Sequence, residues 1–178
     1  MTVSGQPRIL TARITHLEMT QKPSRRVPAP IGHLLAVMRS VEMPLHFYRY
    51  LYEQVGRPHH WQMRRTMKDA ALASVIHSST TEIEVLYANG SPAGFFELDL
   101  SRLPHQAEIE YFGLVPEFQG RGLSRFFLSC AIYGAWAHDP HKVIIQTNSL
   151  DSPRALQIYQ KMGFVPVAWS EEQIEAWD

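Results

Sequence analysis

The chain predicts one α/β (α+β) domain, a mixed, mainly antiparallel sheet flanked by helices on both faces, with an extra N-terminal strand. Three observations carry this. Apolar residues alternate with period two over 82–88 and 93–100, on either side of Asn89-Gly90, a pair that tolerates the positive φ of a tight hairpin. They recur at helical spacing over 45–55 and 123–137. The length of 178 residues, with 45% hydrophobic and 19% charged, suffices for one buried core and is short for two.

Residues 8–19 are rich in β-branched and apolar side chains and read as the first strand. The stretch 21–32 holds Pro23, Pro28, Pro30 and Gly32 and predicts an extended connection. Residues 34–41 form a second strand, stopped by Pro44. Over 45–55, Phe47, Tyr50, Leu51 and Val55 fall on one helical face, with Tyr48 and Tyr52 as an i, i+4 pair on another flank. Gly56 and Pro58 end that helix, and a Met-, Arg-, Lys- and Ala-rich segment predicts another over 62–76. After the hairpin strands come a strand at 106–115, a helix at 123–137, a strand at 142–147 and a helix at 153–162. Ser152 is placed to cap that last helix, with Pro153 at its first position and Gly163 behind it. A strand at 164–169 closes the sheet, and Ser170-Glu-Glu-Gln has the pattern of a short capped helix. The expected partition is 1–33 for the extra strand and its connection, 34–170 for the domain, and 171–178 for a short tail.

Lys+Arg and Asp+Glu number 17 each, so no whole-molecule field points to nucleic acid or an anionic membrane. The lone Cys130 excludes an intrachain disulfide and fits a reducing compartment; among Phe126, Phe127, Leu128 and Ile132 it reads as core filler rather than a nucleophile. The first residues lack the basic and apolar regions of a secretory signal, and no apolar run approaches the roughly 20 residues that cross a bilayer. The expected location is cytoplasmic. No metal is expected. His59-His60 are adjacent in a turn, and His138 and His141 have no obvious third ligand.

The stretch 111–128, Tyr-Phe-Gly-Leu-Val-Pro-Glu-Phe-Gln-Gly-Arg-Gly-Leu-Ser-Arg-Phe-Phe-Leu, runs from a strand through a loop with two glycines into a helix. A helix start offers unpaired N–H donors and the positive end of the macrodipole, and glycines let a ligand approach that backbone. Such a construction suits a pyrophosphate. It lacks the Gly-Lys-Ser/Thr ending of a Walker A loop and the full spacing of a dinucleotide fingerprint. Taken alone, Gly-x-Gly also fits an ordinary strand–helix turn.

The run Gln119-Gly-Arg-Gly-Leu-Ser124 resembles the coenzyme A signature of the GNAT N-acetyltransferase superfamily. Ala155-Leu-Gln-Ile-Tyr-Gln-Lys-Met-Gly-Phe164 resembles the second motif of that family. The likeness covers roughly 34–169 in element order and is specific over 107–124 and 152–164. It implies acetyl-CoA as the acyl donor, a small-molecule or peptide amine as acceptor, and direct transfer in a ternary complex. It further implies that the strand around Phe112, Leu114 and Val115 splays from its neighbour and pairs with the pantetheine arm. Gln119, Gly120, Arg121, Gly122, Leu123 and Ser124 would hold the pyrophosphate, and Tyr159 would protonate the departing thiolate. Two positions depart from the family pattern: Ser124 stands where a Gly or Ala is usual, and Ser152, which the resemblance makes a coenzyme A contact, stands where an Asn is usual. A non-catalytic acyl-CoA-binding sensor is the rival class.

Acetylating an amine requires a base. Glu108 and Glu110 lie two residues apart on one strand face. Glu108 occupies the position that histone-acetyltransferase-like relatives use, with Glu110 as the other candidate; solvation or pairing with an Arg is the alternative for both. The resemblance places Tyr48 and Tyr52, with His59, His60 and Trp61, in the region that lines an acceptor pocket. One closing strand is fewer than the two usual in the family. Either the N-terminal strand or a second subunit, in a homodimer, would complete the sheet.

Overall fold

The structure is a computed structural model, and it describes residues 7–177. Its strands are β1 (Ile9–Met19), β2 (Leu35–Ser40), β3 (Thr81–Ala88), β4 (Ser91–Asp99), β5 (Ala107–Leu114), β6 (Val143–Asn148) and β7 (Val165–Glu175). Its helices are α1 (Leu45–Gly56), α2 (Asp69–Ile76), α3 (Leu123–Trp136) and α4 (Pro153–Lys161). The strands form one sheet in the order β2-β3-β4-β5-β6-β1-β7. Only β5 and β6 run parallel, as their connection through α3 requires. The mixed, mainly antiparallel sheet with helices on both faces is the architecture the sequence implies. No helix among the described residues is long and apolar enough to cross a membrane.

Each face of the sheet has its own core. Leu98, Ile109, Leu114, Leu123, Phe127, Leu128 and Ile132 pack under α3 and α4, with Tyr159 and Phe164. Tyr48, Leu51, Tyr52, Val55, Leu72, Ile83, Val85, Phe95 and Tyr111 pack under α1 and α2. The buried stripe of α1 is therefore Tyr48, Leu51, Tyr52 and Val55, whereas Tyr50 is 45% exposed. The expected grouping put Tyr50 on the buried face and Tyr48 on a flank; both spacings are helical, and only contact with Phe95 and Tyr111 selects between them. The β3–β4 turn has Asn89 and Gly90 at φ 52° and 86°, the conformation the hairpin needs.

Two segments depart from expectation. The helix expected over 62–76 begins only at Asp69, and 60–68 is coil and turn. Tertiary anchors override propensity there. The Trp61 ring fills the space where a Cβ on Gly56 would sit, 2.6 Å from it. The Arg64 backbone N–H donates to Tyr52 Oη at 3.2 Å, and its side chain reaches Glu97. At the other end, 170–175 continue β7 in place of a capped helix. Pairing with β1 from Ile14↔Ser170 to Ile9↔Glu175 and burial of Ile174 against Ala12 and Ile14 outweigh one turn of helix. Finally, β1 lies between β6 and β7, antiparallel to both, so it completes the sheet within one chain. The strand expected over 8–19 is thus present, and residues 171–175, expected in a tail, are sheet as well.

Candidate functional site

The parallel pairing of β5 with β6 covers only Ala107↔Val143, Glu108↔Ile144 and Ile109↔Ile145. Beyond Ile109 the two strands part, although β5 continues to Leu114 and β6 to Asn148. This leaves the β6-facing edge of 110–114 without a strand partner. A cleft of about 860 Å³ opens at the split. The splay has local causes. Gly94 and Gly113 bring β4 and β5 close, since a Cβ on Gly94 would meet the Gly113 carbonyl oxygen at 2.3 Å. Opposite, Asp151 ties down the β6–α4 turn by accepting from Thr147 Oγ1 at 2.8 Å and Asn148 N–H at 2.9 Å.

A β-bulge sits at the mouth of this split. The register of β4 with β5 steps from Glu97↔Tyr111 to Leu98↔Ile109, so Glu110 is the extra, unpaired residue. Ile109 and Phe112, three residues apart, consequently pack on the same α3-side core, while Tyr111 joins the α1-side core. The bulge leaves Glu108, Glu110 and Tyr111 all lining the cleft.

The two glutamates differ. Glu108 is 5% exposed, with one oxygen ion-paired to Arg102 and the other accepting from Gln146 Nε2 at 3.1 Å. Burial pushes its carboxyl up, and the Arg102 guanidinium pulls back down. Glu110 has no hydrogen-bond or ion-pair partner among the described residues. Burial, followed by the negative charge of Glu108, pushes it up to about 7. Asp99, Glu108 and Glu110 present carboxylate oxygens within 4.8 Å of one another, and the Arg102 guanidinium is ion-paired to one of them, Glu108.

Across the cleft, Tyr159 on α4 is 6% exposed, with its ring edge-to-face on Phe112 at 6.4 Å and on Phe164 at 6.3 Å. Burial pushes its phenol well above the usual tyrosine range, so the hydroxyl stays protonated at neutral pH. The second motif thus delivers its tyrosine to the wall opposite β5.

The glycine loop forms the far end. Gly120 and Gly122 have φ of 72° and 76°, and a Cβ on either would meet nothing within 4 Å. Gly122 is the N-cap of α3, no side chain caps that end, and Gly122, Ser124 and Arg125 of this helix start line the cleft. Ser124 lines the cleft and does not cap. Gln119 lines it too, but its amide donates back to the Leu114 carbonyl at 3.2 Å, bracing the loop. Ser152 lines the cleft and caps α4, accepting from Arg154 N–H at 3.4 Å.

Phe112, Leu114, Gly120 and Tyr52 also line the cleft. Four expected positions do not. Tyr48 is fully buried, donating its hydroxyl to Glu97 Oε2 at 2.6 Å, so it belongs to the core and not to an acceptor pocket. Val115 and Leu123 turn their side chains into the two cores and can offer only backbone. Arg121 stacks its guanidinium over Phe118 at 5.2 Å, outside the cleft wall. Conversely, Arg125, Arg154 and Lys161 line the cleft and were not anticipated. Their signal was present: Arg125 and Arg154 sit in the first turns of the two helices whose N-termini border the cleft.

A family model described as an acetyltransferase (GNAT) domain matches residues 49–177, well over half of the chain. The chain belongs to the GNAT family. No curated protein matches it. Among solved structures, this GNAT chain is similar to a functionally unknown conserved protein from Staphylococcus epidermidis, at 17% identity and TM-score 0.60, covering 94% of this chain and 62% of that one. It is also similar to a tandem GNAT protein of the clavulanic acid biosynthesis pathway, at 16% identity and TM-score 0.63, covering 93% and 55%. An aminoglycoside acetyltransferase from an uncultured soil metagenomic sample, solved with sisomicin, aligns at 14% identity and TM-score 0.59, covering 72% and 86%. The GNAT chain described here spans 62% and 55% of the length of the first two structures. At these identities the likeness is one of fold.

Proposed function

We propose that the protein moves an acetyl group from acetyl-CoA to an amine, with both bound together in the cleft. The observation that carries this reading is the split between β5 and β6, which joins an unpaired strand edge to the uncapped N-terminus of α3. Its residues fit acetyl-CoA. The open glycine loop admits a diphosphate to backbone N–H groups, Arg125 brings positive charge to the first turn of α3, and Arg154 and Lys161 add positive charge to the cleft lining. The edge of 110–114 offers main-chain groups to the pantetheine amides. Bound there, acetyl-CoA supplies an activated acyl carbon.

Glu110, rather than Glu108, is the base in this reading, because it combines a free carboxylate with a proton affinity near neutrality. Glu108 is held by Arg102 and Gln146 and acts as the fixed negative charge that lifts Glu110. Glu110 takes a proton from the acceptor ammonium, and the freed nitrogen forms a bond to the acyl carbon while the C–S bond breaks. Tyr159 stays loaded until negative charge develops on sulfur and hands over its proton; the second proton that the nitrogen sheds as the amide forms passes through water to restore Tyr159, and Glu110 releases its proton to solvent. The Tyr159→Phe variant is expected to lose about 10- to 100-fold in kcat with little change in acetyl-CoA affinity. A loss confined to KM would make Tyr159 a packing residue.

Titration calorimetry with CoA tests the reading directly. Wild-type protein is expected to bind, and an Arg125→Glu/Arg154→Glu variant to bind at least about tenfold more weakly, more so at low salt. Properly folded wild-type protein giving no heat with CoA or acetyl-CoA would sink it.

A further inference from the structure

Residues 59–63 all line the cleft, and two of them are histidines whose rings bind opposite kinds of backbone group. His59 ends the short 3-10 helix Arg57–His59, and His60 follows it at φ 56°. His59 Nδ1 lies 3.3 Å from the Leu150 carbonyl oxygen. A carbonyl only accepts, so this Nδ1 carries the hydrogen, and in the neutral ring Nε2 keeps a lone pair. His60 Nδ1 accepts from the Trp177 N–H at 2.9 Å. A backbone N–H only donates, so here Nδ1 supplies the lone pair and Nε2 carries the hydrogen. Neither Leu150 nor Trp177 lines the cleft, so each ring turns its Nδ1 edge away and keeps Nε2 on the other edge. Neither Nε2 has a hydrogen-bond partner among the described residues.

The backbone groups that set the tautomers are themselves anchored. The Leu150 N–H donates to Asn148 Oδ1 at 2.8 Å, in the turn that Asp151 ties down. Beside Trp177, Arg65 donates to the Ala176 carbonyl at 3.3 Å and stacks on the Trp177 ring at 5.2 Å, and the Glu175 N–H donates to Gln62 Oε1 at 3.1 Å. We infer that His59 and His60 form a fixed acceptor–donor pair in the cleft, His59 Nε2 accepting an N–H or O–H and His60 Nε2–H donating to an oxygen. Consecutive Cα atoms stand about 3.8 Å apart, so the complementary ligand carries its donor and its oxygen side by side, as a carboxamide does. The pantetheine arm and the acceptor are the two sources of such a group. His60 has no lone pair left for the cleft and is therefore a positioning residue, not a base. That a reaction partner supplies the amide rests on the acetyl-transfer reading; the tautomers stand independently of it.

The test is nitrogen–proton correlation spectroscopy of the histidine rings in the ¹⁵N-labelled full chain at pH 8.5, with His59→Gln and His60→Gln used to assign the signals. His59 is expected in the Nδ1–H form and His60 in the Nε2–H form; a shared tautomer, or the reverse pairing, overturns the inference. CoA is then added, followed by glycinamide or by its isostere isobutylamine, which lacks the amide. A downfield shift and slowed solvent exchange of the His60 Nε2 proton with CoA alone assign the amide to pantetheine. The same change with glycinamide and not with isobutylamine assigns it to the acceptor. Either result supports the pair. An Nε2 proton that none of the three moves, in protein that binds CoA by calorimetry, overturns the ligand role. Folded protein that gives no heat with CoA overturns the acetyl-transfer reading and the ligand role with it, while the tautomers are still decided by the spectrum of the free chain.

Discussion

Replacing Glu110 with Gln lowers kcat/KM by about 10²–10⁴ while acetyl-CoA affinity stays within about twofold. The expectation follows from position and environment together. Glu110 is the bulged residue of β5, lines the cleft, lacks an ion-pair partner among the described residues, and has a carboxyl pushed up to about 7 by burial and by Glu108. A base works when deprotonated, so wild-type kcat/KM should rise with pH through about 7 and then level off. Glu108→Gln removes the like charge beside it, and the rising limb should move to lower pH. A stability effect of the opposite sense accompanies this. A carboxyl whose folded-state affinity for protons is raised contributes stability fully below its ordinary value of 4.5. That contribution is lost as pH rises through about 7. Glu110→Gln should therefore be more stable than wild type above pH 7, by about 1–2 kcal/mol after allowing for partial solvent screening. Single-turnover and steady-state rates across pH read the first effect, and thermal melts read the second. A pH profile identical in wild type and Glu108→Gln would remove Glu108 from its role.

Glu97→Gln is expected to cost about 3 kcal/mol of stability, a fall in Tm of roughly 6–12 °C for a domain of this size. Glu97 is 2% exposed on β4 and accepts from Arg64 Nη2 at 2.9 Å and Tyr48 Oη at 2.6 Å. An amide at this position must turn its N–H₂ toward one of two donors, and the Arg64 guanidinium, 14% exposed, loses its counter-charge. Arg64 already has a buried Nε–H without a partner, so the site has no slack to absorb the loss. Tyr48→Phe, which deletes one hydroxyl and leaves the ion pair, should cost only about 1 kcal/mol. Thermal unfolding followed by circular dichroism reads both. Equal losses in the two variants would mean that the ion pair contributes nothing beyond a neutral hydrogen bond. The pair also matters for the site, because Arg64 anchors the irregular segment 60–68 that carries Trp61, Gln62 and Met63 to the cleft wall.

Much of the site was legible because its chemistry is local in sequence. The strand–loop–helix at 111–128 holds its loop glycines, Gly120 and Gly122, at positive φ, and Ser152 and Pro153 start α4 as their types dictate. Tyr159 reaches the cleft through the same short motif. The preference between the two glutamates was not legible. Glu108 and Glu110 share a strand face by alternation, and only a bulge and an arginine six residues away in sequence separate a satisfied carboxylate from a free one. Tyr48 and Tyr52 likewise share a helical flank. One ends on a buried glutamate and the other on the cleft, according to where β4 and β5 lie beneath α1.

Short-range periodicity, turn chemistry and capping act within a few residues, so the amino-acid sequence alone determined the helices and strands of the central region and the glycine loop. Long-range pairing decided the rest. A strand from the chain's beginning enters between β6 and β7, turns a segment with helix-capping residues into sheet, and brings Ile14, Glu172 and Ile174 to the cleft lining. Free energy of that kind comes from contacts between residues up to 166 positions apart, as for Ile9↔Glu175, and no local pattern in the chain encodes it.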